Sequence, residues 1–400
     1  METISYEEFH EKLAKLKTMD DAVNFVKELV APTIQKMLDA EMSNHLGYDK
    51  YSAKGRNTGN SRNGYSKKHL QGSFGKAAID VPRDRNGEFE PLAVKKWQNN
   101  PSELEEKVIS MYAKGLTTRD INAHLQDIYG VEISATQVSA MTDKVLPMIE
   151  AWQNRPLDSL YPIVYLDGIH FKVKDGGRVV NTCAYTVLGI NMEGKKELLG
   201  LWTGGAEGAK YWLKVLSELK ERGVNDILIA CVDGLSGFKD AIQTVYPQVN
   251  VQRCVIHQVR QTLKFIPHKN KKAFAAALKE IYNAPTEEAA LTALKQAKKD
   301  WPDYALYLKS WETNWTELAT IFQFPEPIRR MIYTTNAVES THRQLRKITK
   351  TTSIFPHAEA LTKLLWLGMR DLSKKWSMPV RNWGQIVAQL AILFPERVTI

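Results

Sequence analysis

Residues 227–237 read ILIACVDGLSG. Ile227 to Val232 are apolar without a break, and Asp233 and Gly234 follow. A short apolar run closed by a glycine-containing turn predicts a strand buried on both faces, in the middle of an α/β sheet. Asp233 then stands at the strand's carboxyl end, where open α/β sheets carry their chemistry. A second run, Pro162–Val173 (PIVYLDGIHFKV), places Asp167 on an apolar face shared with Ile163, Tyr165, Ile169 and Phe171. An unpaired charge on that face is costly, so Asp167 requires a cation or a strong hydrogen-bonding partner. Two such aspartates on separate strands, joined by one further acid, could hold a pair of metal ions.

The rest of the chain alternates around these strands. Strands are expected at 162–173, 179–190, 196–203, 226–233 and 249–254, with helices at 207–222 and 236–245. Three strands joined by short turns, then a helix and a parallel strand, follow the order of an RNase H-like fold. In that order the first and fourth strands are neighbours, which brings Asp167 beside Asp233. Residues 156–257 are the expected first part of this core. Residues 258–330 read as a helical insertion, with helices at 270–283, 286–301 and 302–322, whose tryptophans read as core. Residues 331–400 return to the core and close with helices. In 334–350, TTNAVESTHRQLRKITK, Val338, Thr341, Leu345 and Ile348 form a buried stripe. Glu339 heads the neighbouring face, followed by Arg343, Arg346, Lys347 and Lys350. Taken alone, Glu339 and Arg343 make an ordinary i,i+4 pair.

The 400 residues suffice for two to four domains. Lys and Arg exceed Asp and Glu by nine, a modest basic excess that favours a polyanionic partner. Three widely spaced cysteines without a CxxC pair argue against a disulfide scaffold. The start, METISYEEFHEKL, has no apolar core of a signal peptide, and no apolar run approaches the ~20 residues of a membrane span. The expectation is a cytoplasmic protein with no membrane partner.

Residues 1–48 read as helices, one opened by a Ser5–Glu8 capping box and a second by Asp20 or Asp21, with Pro32 as a kink or break. Residues 49–100 change character. Between Lys50 and Lys76 there are seven Lys/Arg, five glycines and no acid. Such a stretch buries little, is expected to be mobile alone, and suits phosphate contact through Arg56, Arg62, Lys67 and Lys68. The alternative is a solvated basic linker. After it, residues 77–91 suggest a short strand closed by a turn at Asn86–Gly87. Residues 101–155 show helix-turn-helix spacing, with Thr117 and a Ser134–Gln137 capping box starting helices and Gly130 stopping one. Val138, Met141, Val145 and Met148 form one stripe, and Gln137 and Lys144 are the candidate DNA contacts. A plain three-helix bundle fits the same pattern.

At this point the chain resembles the mutator-type transposases of bacterial insertion sequences over essentially its whole length. The most specific match is Asp233, Gly237, Phe238, Val245, Tyr246, Pro247, Val249, Gln252, Cys254 and His257, ten positions within 25 residues. RNGYSKK (62–68), VPRDRNGEFEP (81–91), YPIVYLDG (161–168), LGLW (199–202) and TTNAVES (334–340) also match. His342 stands where Asn is expected, and Gly168 where Ala is commoner. The resemblance implies a DDE transposase: an α/β RNase H-like catalytic core interrupted by an all-α insertion and preceded by an α-helical DNA-binding region. It makes Asp167, Asp233 and Glu339 the metal-holding acids, with Mg²⁺, or Mn²⁺, as the cofactor. It places the CxxH element, Cys254 and His257, beside them as further catalytic candidates. Arg253, Arg260, Arg343, Arg346, Lys347 and Lys350 are the expected DNA contacts in this region. The implied partners are the element's terminal inverted repeats and target DNA, with a homodimer on DNA. Two other functions fit fewer of these features: a DNA-binding relative that has lost catalysis, and a metal-dependent nuclease without strand transfer.

Overall fold

Residues 11–55, 58–72, 75–91, 94, 102–129, 132–205, 208–333 and 336–398 are described by the computed structural model. They divide into two compact units, one within Met1–Tyr112 and Leu116–Asp143, the other within Ala113–Gly115 and Lys144–Ile400. The Ser5–Glu8 box and the stop at Gly130 lie outside the described residues.

In the first unit, Thr18 and Asp21 exchange side-chain and backbone hydrogen bonds and so open α1 (Met19–Leu46). The helix runs through Pro32 and ends at Gly47, whose φ of 76° is the left-handed conformation glycine tolerates. The basic stretch is more ordered than its composition predicts. Its residues from Arg62 onward form β1 (Arg62–Gly72), which pairs antiparallel with β2 (Gly75–Asp84). Tertiary support supplies the order that composition lacks. Ile79 of β2 packs with Leu38 of α1 and with Val94. Gln35 both donates to Asp80 O and accepts from Asp80 N, at 2.7 and 2.9 Å.

Three helices follow: α2 (Ser102–Ala113), α3 (Thr118–Tyr129) and α4 (Ala135–Asp143). Leu104, Val108, Ile121, Leu125, Ile133, Val138 and Met141 form their core. The expected Thr117 cap and the Ser134–Gln137 capping box are both present, and Thr117 closes a box of its own with Asp120. The stripe from Val138 to Met148 does not form one helix. Pro147 lacks an N–H and its ring excludes the carbonyl four residues back, so α4 stops at Asp143 and α5 (Leu146–Gln153) restarts with Pro147 in its first turn.

The second unit is built on β3 (Leu160–Asp175), β4 (Arg178–Ile190), β5 (Lys196–Gly204), β6 (Asp226–Val232) and β7 (Asn250–Arg253), with α6 (Ala209–Glu221) and α7 (Phe238–Val245) between strands. The sheet order is β5-β4-β3-β6-β7. β3, β4 and β5 are antiparallel neighbours, whereas β6 and β7 join parallel to β3. One face packs Trp212, Leu216, Phe238 and Ile242 against the sheet.

Helices α8 (Val255–Leu263), α9 (His268–Tyr282), α10 (Glu287–Asp300), α11 (Ala305–Thr313) and α12 (Trp315–Leu318) come next. Phe274, Leu278, Leu294, Leu308 and Trp311 give them their own core. The helix expected over 302–322 is broken at Asn314. Contacts to α8 hold the pieces: Trp311 Nε1 donates to Thr262 Oγ1 at 3.0 Å, and Gln258 Nε2 to Ser310 Oγ at 2.8 Å. The chain closes with α13 (Glu326–Ile332), α14 (Asn336–Thr349), α15 (Ala358–Ser373) and α16 (Trp383–Leu393). The sheet's other face buries Ile163 and Tyr165 against Ile328, Ile332, Val338, Ile386 and Leu390.

Candidate functional site

Asp167 lies within β3, opposite Thr186 of β4. Strand alternation sets it on the same face as Ile163 and Tyr165, and it is 5% exposed. The parallel register pairs Leu166 with Val232. The next residue on each chain is therefore an aspartate, so Asp167 and Asp233 leave neighbouring strands in step. Gly234 makes room there for a side chain: a Cβ at that position would fall on the Arg253 guanidinium. Arg253 in turn donates to Gly234 O at 3.3 Å and reaches Glu317 at 3.4 Å, which ties it to the turn after β6.

Cys254 continues β7's approach to β6 by donating its N–H to Val232 O at 2.8 Å. It is also the N-cap of α8, its sulfur accepting the His257 N–H at 3.4 Å. The CxxH spacing thus lays His257 over the cap on the same side of the first turn. The His257 Nδ1 contacts the Asp233 carboxylate, and its Nε2 lies 3.4 Å from Glu339 Oε1. Arg260, three residues along α8, places Nη1 2.7 Å from the same Glu339 oxygen. Glu339 therefore pairs with α8, not with Arg343.

His342, which stands where the family pattern has Asn, is not among the expected site residues. Its Nδ1 lies 3.3 Å from Asp167 Oδ2. A polar residue on the buried stripe of α14, one turn after Glu339, is the signal that could have singled it out.

The electrostatics agree with convergence. Burial raises the Asp233 pKa, the negative charges of Asp167 and Glu339 raise it further, and His257 pulls it back. Burial works against a charged His257, but its contacts with Asp233 and Cys254 outweigh that and raise its pKa to about 11. On α14, Val338 and Leu345 are buried while Arg343, Arg346, Lys347 and Lys350 are exposed, and none of these four has an ion-pair partner among the described residues.

The candidate contacts within residues 49–155 are placed differently from one another. Arg62 is engaged internally, donating to Tyr48 O at 3.2 Å and Ser43 Oγ at 2.7 Å while its guanidinium stacks over the Tyr48 ring. Lys67 is exposed on β1, and Lys68 is half-buried, which lowers its pKa. The Gln137 side-chain oxygen caps α4 by accepting from Ser134 N at 2.8 Å. Lys144 lies exposed in the turn before α5, in the second unit. Arg56 lies outside the described residues.

Comparison with known proteins adds a family. A sequence model described as "Transposase, Mutator family" matches residues 3–379. The chain is 42% identical over 365 residues to a probable transposase for insertion sequence element ISRM3-like of Sinorhizobium fredii, covering 91% of this chain and 90% of that one. It is 41% identical, with the same coverage, to the transposase for insertion sequence element ISRM3 of Rhizobium meliloti. A chain of the simian T-cell lymphotropic virus intasome complex with a PP2A regulatory subunit aligns over 45% of this chain and 69% of its own, at 12% identity and a TM-score of 0.17, a likeness that says nothing about the fold.

Proposed function

The chain belongs to the Mutator family of transposases, and from that premise we propose that it cuts the ends of its insertion sequence and joins a strand to target DNA through a DDE site made of Asp167, Asp233 and Glu339. The observation that carries the proposal is the single imidazole of His257 in contact with both Asp233 and Glu339, while strand register sets Asp167 beside Asp233. The sheet order β5-β4-β3-β6-β7 supports an RNase H-like core, and the separate core of α9–α12 supports a helical insertion before Glu339.

Asp167 and Glu339 raise the proton affinity of Asp233, and three carboxylates so placed form a donor set suited to a hard divalent ion, with oxygen donors favouring Mg²⁺ or Mn²⁺. Two bound ions would activate water or a DNA 3′-hydroxyl and stabilise the leaving oxygen. The protein's own groups prepare that chemistry. His342 orients Asp167, Arg260 and His257 aim Glu339, and Arg253 with Gly234 fixes the turn that presents Asp233. Arg343, Arg346, Lys347 and Lys350 hold the phosphate backbone along α14, and Lys67 contributes a phosphate contact in the first unit. Residues 1–155 recognise the terminal inverted repeats, and two copies act together on the paired ends.

The test is a supercoiled donor plasmid carrying both element ends, incubated with Mg²⁺. The expected result is end cleavage and joined product from the wild-type protein, and neither from Asp233→Asn, which still binds ends within a few-fold. Cleavage without joining by the wild type would make the protein a nuclease, and binding alone would make it a regulator. Substantial cleavage by Asp233→Asn would remove that residue from the site.

A further inference from the structure

Beside the three acids lies a donor set of different chemistry. The Cys254 sulfur, a His257 ring nitrogen and an Asp233 oxygen all lie within 4.8 Å of one another. We propose that these three residues bind a borderline-soft divalent ion, Zn²⁺ in the first instance, and that its binding withholds Asp233 from DNA cleavage.

The argument is geometric and chemical. Thiolate, imidazole and carboxylate are the ligands zinc selects, and three protein ligands with one open position is a common zinc arrangement. Tetrahedral zinc separates its ligand atoms by about 3.5 Å, so a small withdrawal of Asp233 from the ring admits the ion. Mg²⁺ would not use the sulfur. The backbone is already fixed for the purpose: Cys254 is anchored by its N–H bond to Val232 O, and the first turn of α8 sets His257 over it. The ring's other nitrogen supplies the second, independent observation. His257 Nε2 faces Glu339 at 3.4 Å, and Glu339 is itself held by Arg260 at 2.7 Å. A carboxylate on the far nitrogen is how proteins fix the tautomer of a metal-binding histidine and raise its basicity. Asp233 is thus shared between a hard-ion site and a soft-ion site that cannot be filled together. The ion binding stands alone; only its effect on cleavage rests on the DDE reading above.

Full-length protein stripped of metal by chelation and titrated with Co²⁺ tests the site. The expected result is a thiolate-to-cobalt charge-transfer band that saturates at one equivalent and is displaced by Zn²⁺. Cys183→Ala and Cys231→Ala keep the band, Cys254→Ser loses it, and His257→Gln, which keeps the thiol, weakens Co²⁺ binding. Glu339→Gln weakens Zn²⁺ binding by about 10- to 100-fold, the usual effect of losing a histidine's carboxylate partner. No band from the wild type, or a band that survives Cys254→Ser, overturns the proposal. In Mg²⁺-supported cleavage, Zn²⁺ inhibits the wild type over the same concentration range in which it displaces the cobalt band. If no cleavage occurs with Mg²⁺ at all, the DDE reading fails while the cobalt band still decides the ion site.

Discussion

His342 Nδ1 lies 3.3 Å from Oδ2 of Asp167, and both residues are almost fully buried. A buried carboxylate in the middle of a strand needs a partner, and α14 brings one across the sheet face. His342→Ala leaves Asp167 without it. The expected cost is about 1–3 kcal/mol of stability, the range for a buried polar group losing its hydrogen bond. Chemical denaturation measures it, and cleavage should fall with it. His342→Asn, which keeps a donor, should recover part of both.

Arg260 and Glu339 make a different kind of pair, since the arginine side chain is 54% exposed. Arg260→Ala should therefore cost under about 1 kcal/mol. If Glu339 swings away when released, cleavage should slow by up to about 100-fold, because small displacements of reacting groups are expensive. A melting curve and a single-turnover cleavage rate separate the two effects. A variant that is destabilised but cleaves normally would make Arg260 a structural residue only.

His257 predicts a pH dependence with a definite sign. Its pKa rises from 6.5 to about 11 on folding, so its stabilising contribution is complete below 6.5 and is lost as pH climbs towards 11. Asp233, whose pKa is raised from 3.8, also favours the lower-pH side. In metal-free protein, the second unit's melting temperature should fall between pH 7 and pH 10, and His257→Gln should flatten the slope. The first unit should show the opposite sign. Burial alone would raise the Asp84 pKa, but hydrogen bonds from Asn60 and from the Phe89 and Glu88 N–H groups hold it at about 2. That contribution is present above pH 3.8 and is lost as pH falls through 2.

Two sets of basic residues should behave differently in DNA binding. Arg343, Arg346, Lys347 and Lys350 are exposed on α14. Neutralising any one that binds a phosphate should reduce the salt slope of binding by about 0.9. Arg62 is already committed to Tyr48 and Ser43. Arg62→Ala should lower stability by about 1 kcal/mol and leave the slope unchanged. A reduced slope in Arg62→Ala would show that the guanidinium leaves Tyr48 for DNA.

Gly234→Ala isolates the turn after β6. Its methyl group would collide with the Arg253 guanidinium, so one of the two must move. The guanidinium is the far end of a flexible side chain and can give way by losing its bonds to Gly234 O and Glu317, a cost of about 1 kcal/mol. Cleavage should fall more than end binding, since the turn that loses this tie carries Asp233. Arg253→Ala in the same chain should relieve the clash and restore part of the stability.

The strands were legible because burial imposes a pattern on their residues. Ile227–Val232 is apolar throughout because both its faces are covered, and so is Ile163–Leu166, with Ile163 and Tyr165 packed on one face and Val164 and Leu166 on the other. The patterns located the two strands, the order of strands and helices made them neighbours, and the parallel register puts Asp167 and Asp233 in step. Caps at Thr117 and Ser134 were equally readable, because a capping box involves residues only three apart.

What the chain could not disclose by itself depends on residues far apart in it. Locally Glu339 looks like the partner of Arg343; only the packing of α14 against α8 gives it Arg260, 79 positions earlier, and His257. His342 became a partner of Asp167, and the glycine-rich basic stretch became a strand, for the same reason. Short-range chemistry decides which turn or cap forms, whereas the neighbours of a buried charge are chosen by tertiary packing, because desolvation makes it far more costly to leave that charge alone than to bring a distant partner to it.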